Sequence, residues 1–343
     1  MISISRRVVA GTSLAVLSTL ALGPGAATAQ EQRIVFATNW KAQAEHGGFY
    51  QALAKGLYKK RGLDVQIRAG GPGIDNQQLL AAGAVDMAIA SNNFYALNLV
   101  QANAPALAVA AFFQKDPQIL VTHASLPVSS LADLKGRPIM ISKGATSTYW
   151  LWLKARYGFT DEQIRPYTFN TAPFLVNKEA IQQGYLSSEP YKIKKEAGLD
   201  TKIFLLADYG YPSYANLVMA QKKLVDEKPK AVQDFVDASI EGWYDYVYGD
   251  PTPGNALIKR DNSDMDDGSI AEGITKMREY GILDSGDTKE KGVGAMTTER
   301  WKDFFDQMTA VGAYPAALDY TQAFTTRFVN KNHAVEMRPK GQL

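Results

Sequence analysis

The chain has no cysteine and only 3 histidines in 343 residues. The first absence removes disulfides, thiolate metal sites, cysteine nucleophiles and a lipid-modified N-terminal cysteine together. His46, His123 and His333 lie far apart without metal-ligand spacing, so no metal or cofactor is expected. An excess of one charge is also missing: the net charge is +2, and taking away Arg6 and Arg7 leaves 35 basic against 35 acidic residues. A nucleic-acid binder needs a basic surplus on one face. The densest basic run, Lys192-Ile193-Lys194-Lys195-Glu196, fits a solvated helix face instead, and no nucleic-acid partner is expected. Long apolar runs are lacking too. The most apolar stretch, residues 8–22, is shorter than the ~20 residues that cross a bilayer.

Residues 1–29 have the pattern of a cleaved secretory signal: Arg6-Arg7, an apolar stretch, then Ala27-Thr28-Ala29, with cleavage expected after Ala29. Ser5-Arg6-Arg7 leaves a twin-arginine route open, while Val9 and Ala10 favour general secretion. An exported chain without disulfides needs a core that stands alone. With 46% hydrophobic and 21% charged residues over this length, two lobes are expected rather than one.

From Arg33 onward short apolar runs alternate with helical patterns, which predicts βαβ units and parallel sheets. Strands are expected at residues 34–37, 65–67, 87–90, 107–113, 119–122 and 139–142, with further short runs at 167–169 and 203–207. Helices are expected from Tyr50 to a left-handed cap at Gly62, over 146–157, and over 178–183. Ser130-Leu131-Ala132-Asp133 resembles a capping box. Helices over 232–248, 270–280, 300–311 and 322–329 close the chain. Pro127 and Pro212 interrupt the pattern, so the lobes are expected to exchange near 123–128 and 209–214, giving residues 30–124 plus 213–343 as lobe 1 and 125–212 as lobe 2.

Several loops sit where strands end and helices begin. Asn39-Trp40-Lys41-Ala42-Gln43-Ala44-Glu45-His46-Gly47-Gly48-Phe49-Tyr50 puts an aromatic face, a histidine and backbone N–H groups at one sheet edge. Trp40 is read as a stacking ring rather than as core between lobes. His46 can address a ring edge with one donor and one acceptor nitrogen, or be a satisfied structural histidine. Asn92 and Asn93, in an N-cap run, face the same crevice in this reading. Gly144, Thr146, Ser147, Thr148 and Trp150 form the second lobe's counterpart, with Lys143 as its nearby cation. Glu189 supplies a carboxylate at a helix start, and Tyr209 at the second crossing joins the set. Two signatures fail. Gly70-Gly71-Pro72-Gly73 lacks dinucleotide-loop spacing, and residues 261–268 place Met265 and Ser263 at liganding positions of a calcium loop.

The Asn39 to Tyr50 segment, with G-A-V-D-M-A-I-A at 83–90, F-F-Q-K-D-P-Q at 112–118, L-A-D-L-K-G-R-P at 131–138 and Q-Q-G-Y-L-S-S-E-P at 182–190, resembles the ABC-transporter periplasmic binding proteins for thiamine pyrimidine precursors, relatives of the nitrate, taurine and alkanesulfonate binders. The resemblance implies an α/β, type II periplasmic-binding-protein fold: two lobes, a central cleft, two hinge crossings and extra C-terminal helices. It also implies a periplasmic location, a small-molecule ligand, an ABC permease and ATPase as membrane partners, and a monomer. In the resembling family an acidic residue near the place of Glu189 meets the amino-pyrimidine edge. Rings, amides and a carboxylate favour a neutral or weakly basic heteroaromatic ligand over a sulfonate or nitrate. The fold is shared with a eukaryotic pyrimidine-precursor synthase that consumes a histidine matching His46. That enzyme carries a cysteine-rich loop absent here, so a binder rather than an enzyme is expected.

Overall fold

The computed structural model describes residues 1–2 and 31–341, so the expected signal segment lies outside the described residues apart from Met1 and Ile2. In chain order the strands are β1 (Gln32–Ala37), β2 (Leu63–Arg68), β3 (Met87–Asn92), β4 (Ala106–Phe113), β5 (Gln118–His123), β6 (Ile139–Ile141), β7 (Ile164–Pro166), β8 (Ile181–Tyr185), β9 (Thr201–Leu205) and β10 (Ala215–Gln221). They form two five-stranded sheets, ordered β2-β1-β3-β10-β4 and β7-β6-β8-β5-β9. In each sheet one strand runs against its neighbours. β10 is antiparallel to β3 and β4, and β5 is antiparallel to β8 and β9.

The sequence explains the layering. β3 and β4, reading Met-Ala-Ile-Ala and Ala-Leu-Ala-Val-Ala-Ala-Phe-Phe, are apolar on both faces and are covered on both. The 20-residue helix Pro229–Tyr248 buries Phe235, Trp243 and Tyr246 against the first sheet and the helix Gly47–Ala54. Gly47 and Gly48 make that contact possible: an added Cβ would stand 2.0 Å from the Tyr246 ring and 2.2 Å from Trp243. Their role is close helix packing, and the expected open N–H edge is covered.

The chain enters the second sheet earlier than expected. Its first crossing is residues 114–117, because β5 already pairs with β8 and β9. Ile119, Leu120 and Val121 mark a strand but carry nothing local that chooses between sheets. The second crossing, residues 206–214, begins with the 3-10 turn Leu206–Tyr209. Arg300, from helix Thr298–Ala310, ties the two crossings together. It donates to the carbonyls of Pro212 at 3.1 Å, Ser213 at 3.2 Å and Gln114, and its guanidinium lies 4.0 Å over the Tyr214 ring.

Three expected helices differ. Residues 178–183 run into strand β8, where Gln182 and Gln183 are buried; their polarity hid a strand whose neighbours supply the hydrogen bonds. The helix through Tyr50 stops at Ala54, followed by Gly56 at φ 66°, and Gly62 instead caps the 3-10 turn Lys59–Arg61 at φ 75°. Within 322–329 only the end of the 3-10 turn Tyr320–Ala323 is helical.

Candidate functional site

Parallel pairing aligns the loops. β1, β2 and β3 run together, as do β6, β7 and β8, so the loops after each set leave one edge of their sheet. Ala215 pairs with both Asn92 and Phe113, and Gln118 pairs with Tyr185, so the two crossings connect those same carboxyl edges. The gap between the edges is where ligands bind in open α/β sheets.

On the first edge, Thr38 shapes the loop that presents Trp40. Its hydroxyl donates to the Trp40 carbonyl at 2.7 Å and accepts from the Gly70 N–H at 3.1 Å. Gly70 must be glycine, since a Cβ would stand 2.3 Å from the Thr38 carbonyl oxygen. Asn39 Nδ2 donates to Ser91 Oγ at 2.8 Å, and His46 Nε2 lies 3.0 Å from Asn39 Oδ1. The Gln43 N–H points at His46 Nδ1 from 3.4 Å, which assigns the ring proton to Nε2, donating to Asn39. Burial lowers the His46 pKa to about 3, so the ring is neutral. His46 therefore positions Asn39, the second of the two roles open to it.

Across the gap, Trp40 meets Phe169, which follows β7, with ring centroids 4.9 Å apart and planes at 48°. Phe169 in turn lies 5.4 Å from Tyr167. The centre between the lobes is acidic. Ser187, after β8, donates its hydroxyl to the buried Glu45 carboxylate of the first lobe. Burial raises the Glu45 carboxyl, and the Ser187 bond pulls the other way. Glu189 Oε2 accepts the Tyr185 N–H at 2.6 Å; burial raises its carboxyl too, the Tyr185 bond lowers it, and Glu45 adds repulsion. Asp116, in the first crossing, is pushed up to about 7 by burial against a bond from the Gln118 N–H at 3.0 Å. Asn92 Oδ1 and the Tyr211 hydroxyl are buried without a protein partner. Among the described residues no group of three or more His, Asp or Glu is placed to hold a metal ion.

The structure thus brings Asn39, Trp40, His46, Asn92 and Glu189 to the facing edges. Asn93 is fully buried, and its Oδ1 accepts the Tyr214 N–H at 3.0 Å, so it anchors a helix start to the crossing. Gly144, Thr146, Ser147 and Thr148 lie on the second edge in the 3-10 turn Lys143–Ser147 and just after it. There the Thr146 hydroxyl donates back to the Lys143 carbonyl at 2.7 Å. Lys143 itself is exposed. Three residues point elsewhere. Tyr50 is core, with its hydroxyl donating to Asp261 at 3.2 Å, because the helical stripe it belongs to faces the helix Thr252–Asp261. Trp150 is buried, its Nε1 donating to Asp161 at 2.9 Å. Tyr209 lies against Phe204 on the second crossing, 6.3 Å between centroids.

Glu45, Ser187, Asp116, Thr38, Gly70 and Phe169 escaped the sequence reading as site residues. Glu45 and Ser187 stand inside the quoted segments, one residue from His46 and two from Glu189, and their pairing needs the fold. Hollows of about 600 Å³, beside Arg33, Asp64 and Arg260, and about 340 Å³, beside Lys115, Gly210 and Arg300, lie away from Trp40 and Glu189.

Residues 43–253 match the family described as NMT1/THI5 like. The chain belongs to that family. Two curated relatives fit the NMT1/THI5-like assignment. The riboflavin-binding protein RibY of Chloroflexus aurantiacus is 24% identical over 324 residues, covering 91% of this chain and 92% of the relative. A formylaminopyrimidine-binding protein of Halalkalibacterium halodurans is 23% identical over 285 residues, covering 79% and 83%. Among solved structures, the periplasmic aliphatic sulphonate binding protein SsuA of Escherichia coli superposes with a TM-score of 0.65 at 14% identity, over 85% of this chain and 91% of that one. SsuA of Xanthomonas axonopodis pv. citri, bound to MOPS, gives 0.63 at 14%, over 87% and 99%. The fold is that of the periplasmic binding proteins, with two α/β lobes.

Proposed function

We propose that this NMT1/THI5-like chain is the exported solute-binding component of an ABC importer, that it takes up a small, flat heteroaromatic ligand of the pyrimidine or flavin type, and that it releases the ligand unchanged. Expected partners are a membrane permease and its ATPase, and the expected location is the periplasm. Two lobes held at two crossings can close on a ligand, and that closure is a signal a transporter can sense.

One observation carries the choice of ligand class: the buried ionisable side chains facing each other between the lobes are carboxyls, Glu45 and Glu189, while Lys143 is exposed. A sulfonate or nitrate would find no buried cation among the described residues to pair with there, whereas ring N–H and exocyclic amino groups would find acceptors. Riboflavin and formylaminopyrimidine, the ligands in the names of the two curated relatives, are of this kind. Trp40 gives such a ring a face, and Asn39, Asn92 and Glu189 address its edge. A role as an enzyme that consumes its own histidine is disfavoured because His46 is 97% buried and committed to Asn39.

Isothermal titration with riboflavin, formylaminopyrimidine and MOPS tests the reading. Binding of either ring compound, weakened at least about tenfold by Trp40→Ala and by Glu189→Ala, is expected. Binding of MOPS alone, or ring binding that both variants leave intact, would overturn it.

A further inference from the structure

The loop after β7 holds a residue that packing alone does not account for. Phe169 has φ 63°, in the left-handed region that bulky residues avoid. Among the described residues the other non-glycine ones in that region are Asn103, Asn216, Asn330, Asn332 and Ala334, small or hydrogen-bonding side chains that tolerate it better. Phe169 is also 44% exposed and is the one aromatic among the large exposed hydrophobics of the described residues. A strained backbone that holds an aromatic ring out of the core is the mark of a functional constraint. The ring it reaches is Trp40 on the opposite lobe.

We infer that Phe169 is the second wall of the ligand site, and that a planar aromatic ring is bound by insertion between Phe169 and Trp40, one from each lobe. This rests on the ligand class proposed above and narrows it to rings with two free faces. The geometry gives the reason. At 4.9 Å and 48° the two rings touch each other, whereas a flat ring between them needs about 3.5 Å on each side, or roughly 7 Å in all. Opening the lobes by roughly 2 Å therefore admits one aromatic thickness and no more. Tyr167, behind Phe169, lies beside the Glu189 carboxyl, so the wall and the edge acceptor share one support. An alkyl sulfonate has no flat face to offer either wall.

Trp40 supplies the readout, because it is half-buried while Trp150, Trp152, Trp243 and Trp301 are buried. Titration of the full chain with riboflavin and with formylaminopyrimidine, followed by calorimetry and by tryptophan emission, compares wild type with Phe169→Ala, Phe169→Gly and Phe169→Tyr. Glycine removes the ring and also suits the left-handed backbone, so it separates loss of the wall from loss of fold. Alanine and glycine are expected to weaken ring binding at least about tenfold, tyrosine to hold it within about twofold, and all three to keep the wild-type melting temperature. Equal or tighter binding by both ring-less variants would overturn the inference while leaving the proposed function standing. Failure of wild type to bind either compound would sink both.

Discussion

The hydroxyl of Ser187 on the second lobe bonds to the carboxylate of Glu45 on the first. Both side chains are 93% buried, so each is the other's substitute for water across the gap. Ser187→Ala leaves the Glu45 carboxylate without its side-chain donor in a desolvated place, a loss of about 1–3 kcal/mol. Urea unfolding should show it as a lower midpoint, and an unchanged midpoint would mean that the lobes part readily in solution.

Arg300 makes its bonds to Gln114, Pro212 and Ser213 with a planar fork that a lysine ammonium cannot reproduce. Arg300→Lys is expected to lower stability by about 2 kcal/mol or more, since bonds to a charged donor are each worth about 1.5–3 kcal/mol. Proteolysis should then cut at residues 114–117 or 206–214 faster than in wild type. Retention of both stability and protease resistance would show that the crossings are rigid without it.

Among the groups that shape the pH response, Asp116 and His46 act in opposite directions. Asp116 rises from 3.8 to about 7 through burial, so its contribution to stability is whole below pH 3.8 and is lost as pH rises through about 7. His46 falls from 6.5 to about 3, so its contribution is whole above pH 6.5 and is lost as pH falls through about 3. From about pH 7 to about pH 4 the stability advantage of wild type over Asp116→Asn should grow by roughly 4 kcal/mol, at about 1.4 kcal/mol per pKa unit. The advantage over His46→Gln should shrink over the same range. Urea midpoints at three pH values check both slopes, and parallel curves for wild type and either variant would remove that group from the account.

Gly70→Ala drives a methyl group against the backbone of Thr38 and Asn39. The loop must move, and Trp40 with it. Ring-ligand affinity should fall more than tenfold while the melting temperature drops by only a few degrees, since about 1 kcal/mol shifts it by roughly 2–4 °C in a chain of this size. Calorimetry beside thermal melting separates the two effects; intact affinity would show that Trp40 does not hold the ligand.

Much of this was legible in the chain itself. Gly-Ala-Val-Asp-Met-Ala-Ile-Ala announces a buried strand and its approach, and Asn39-Trp40 falls at a strand end because apolar alternation stops there. The β8 segment Ile-Gln-Gln-Gly-Tyr misleads because buried glutamines look like solvent-facing positions. Gln183 is silenced by accepting the Ser142 N–H at 2.6 Å and the Tyr149 hydroxyl at 3.1 Å, partners that only the fold supplies. Tyr50 and Trp150 misled in the opposite way, since an aromatic residue near a strand end can be swallowed by the next helix's apolar stripe. The short run 167–169 misled as well: β7 stops at Pro166, Phe169 follows it in a loop, and its left-handed backbone has no counterpart in composition.

β10 lies between β3 and β4, yet the ribosome makes it only after the whole second lobe. Until residue 221 has emerged, two apolar strand edges of the first sheet stay bare, and the nascent chain cannot finish that sheet, although every strand of the second is already made. Such wiring delays compaction of the first lobe until late in synthesis.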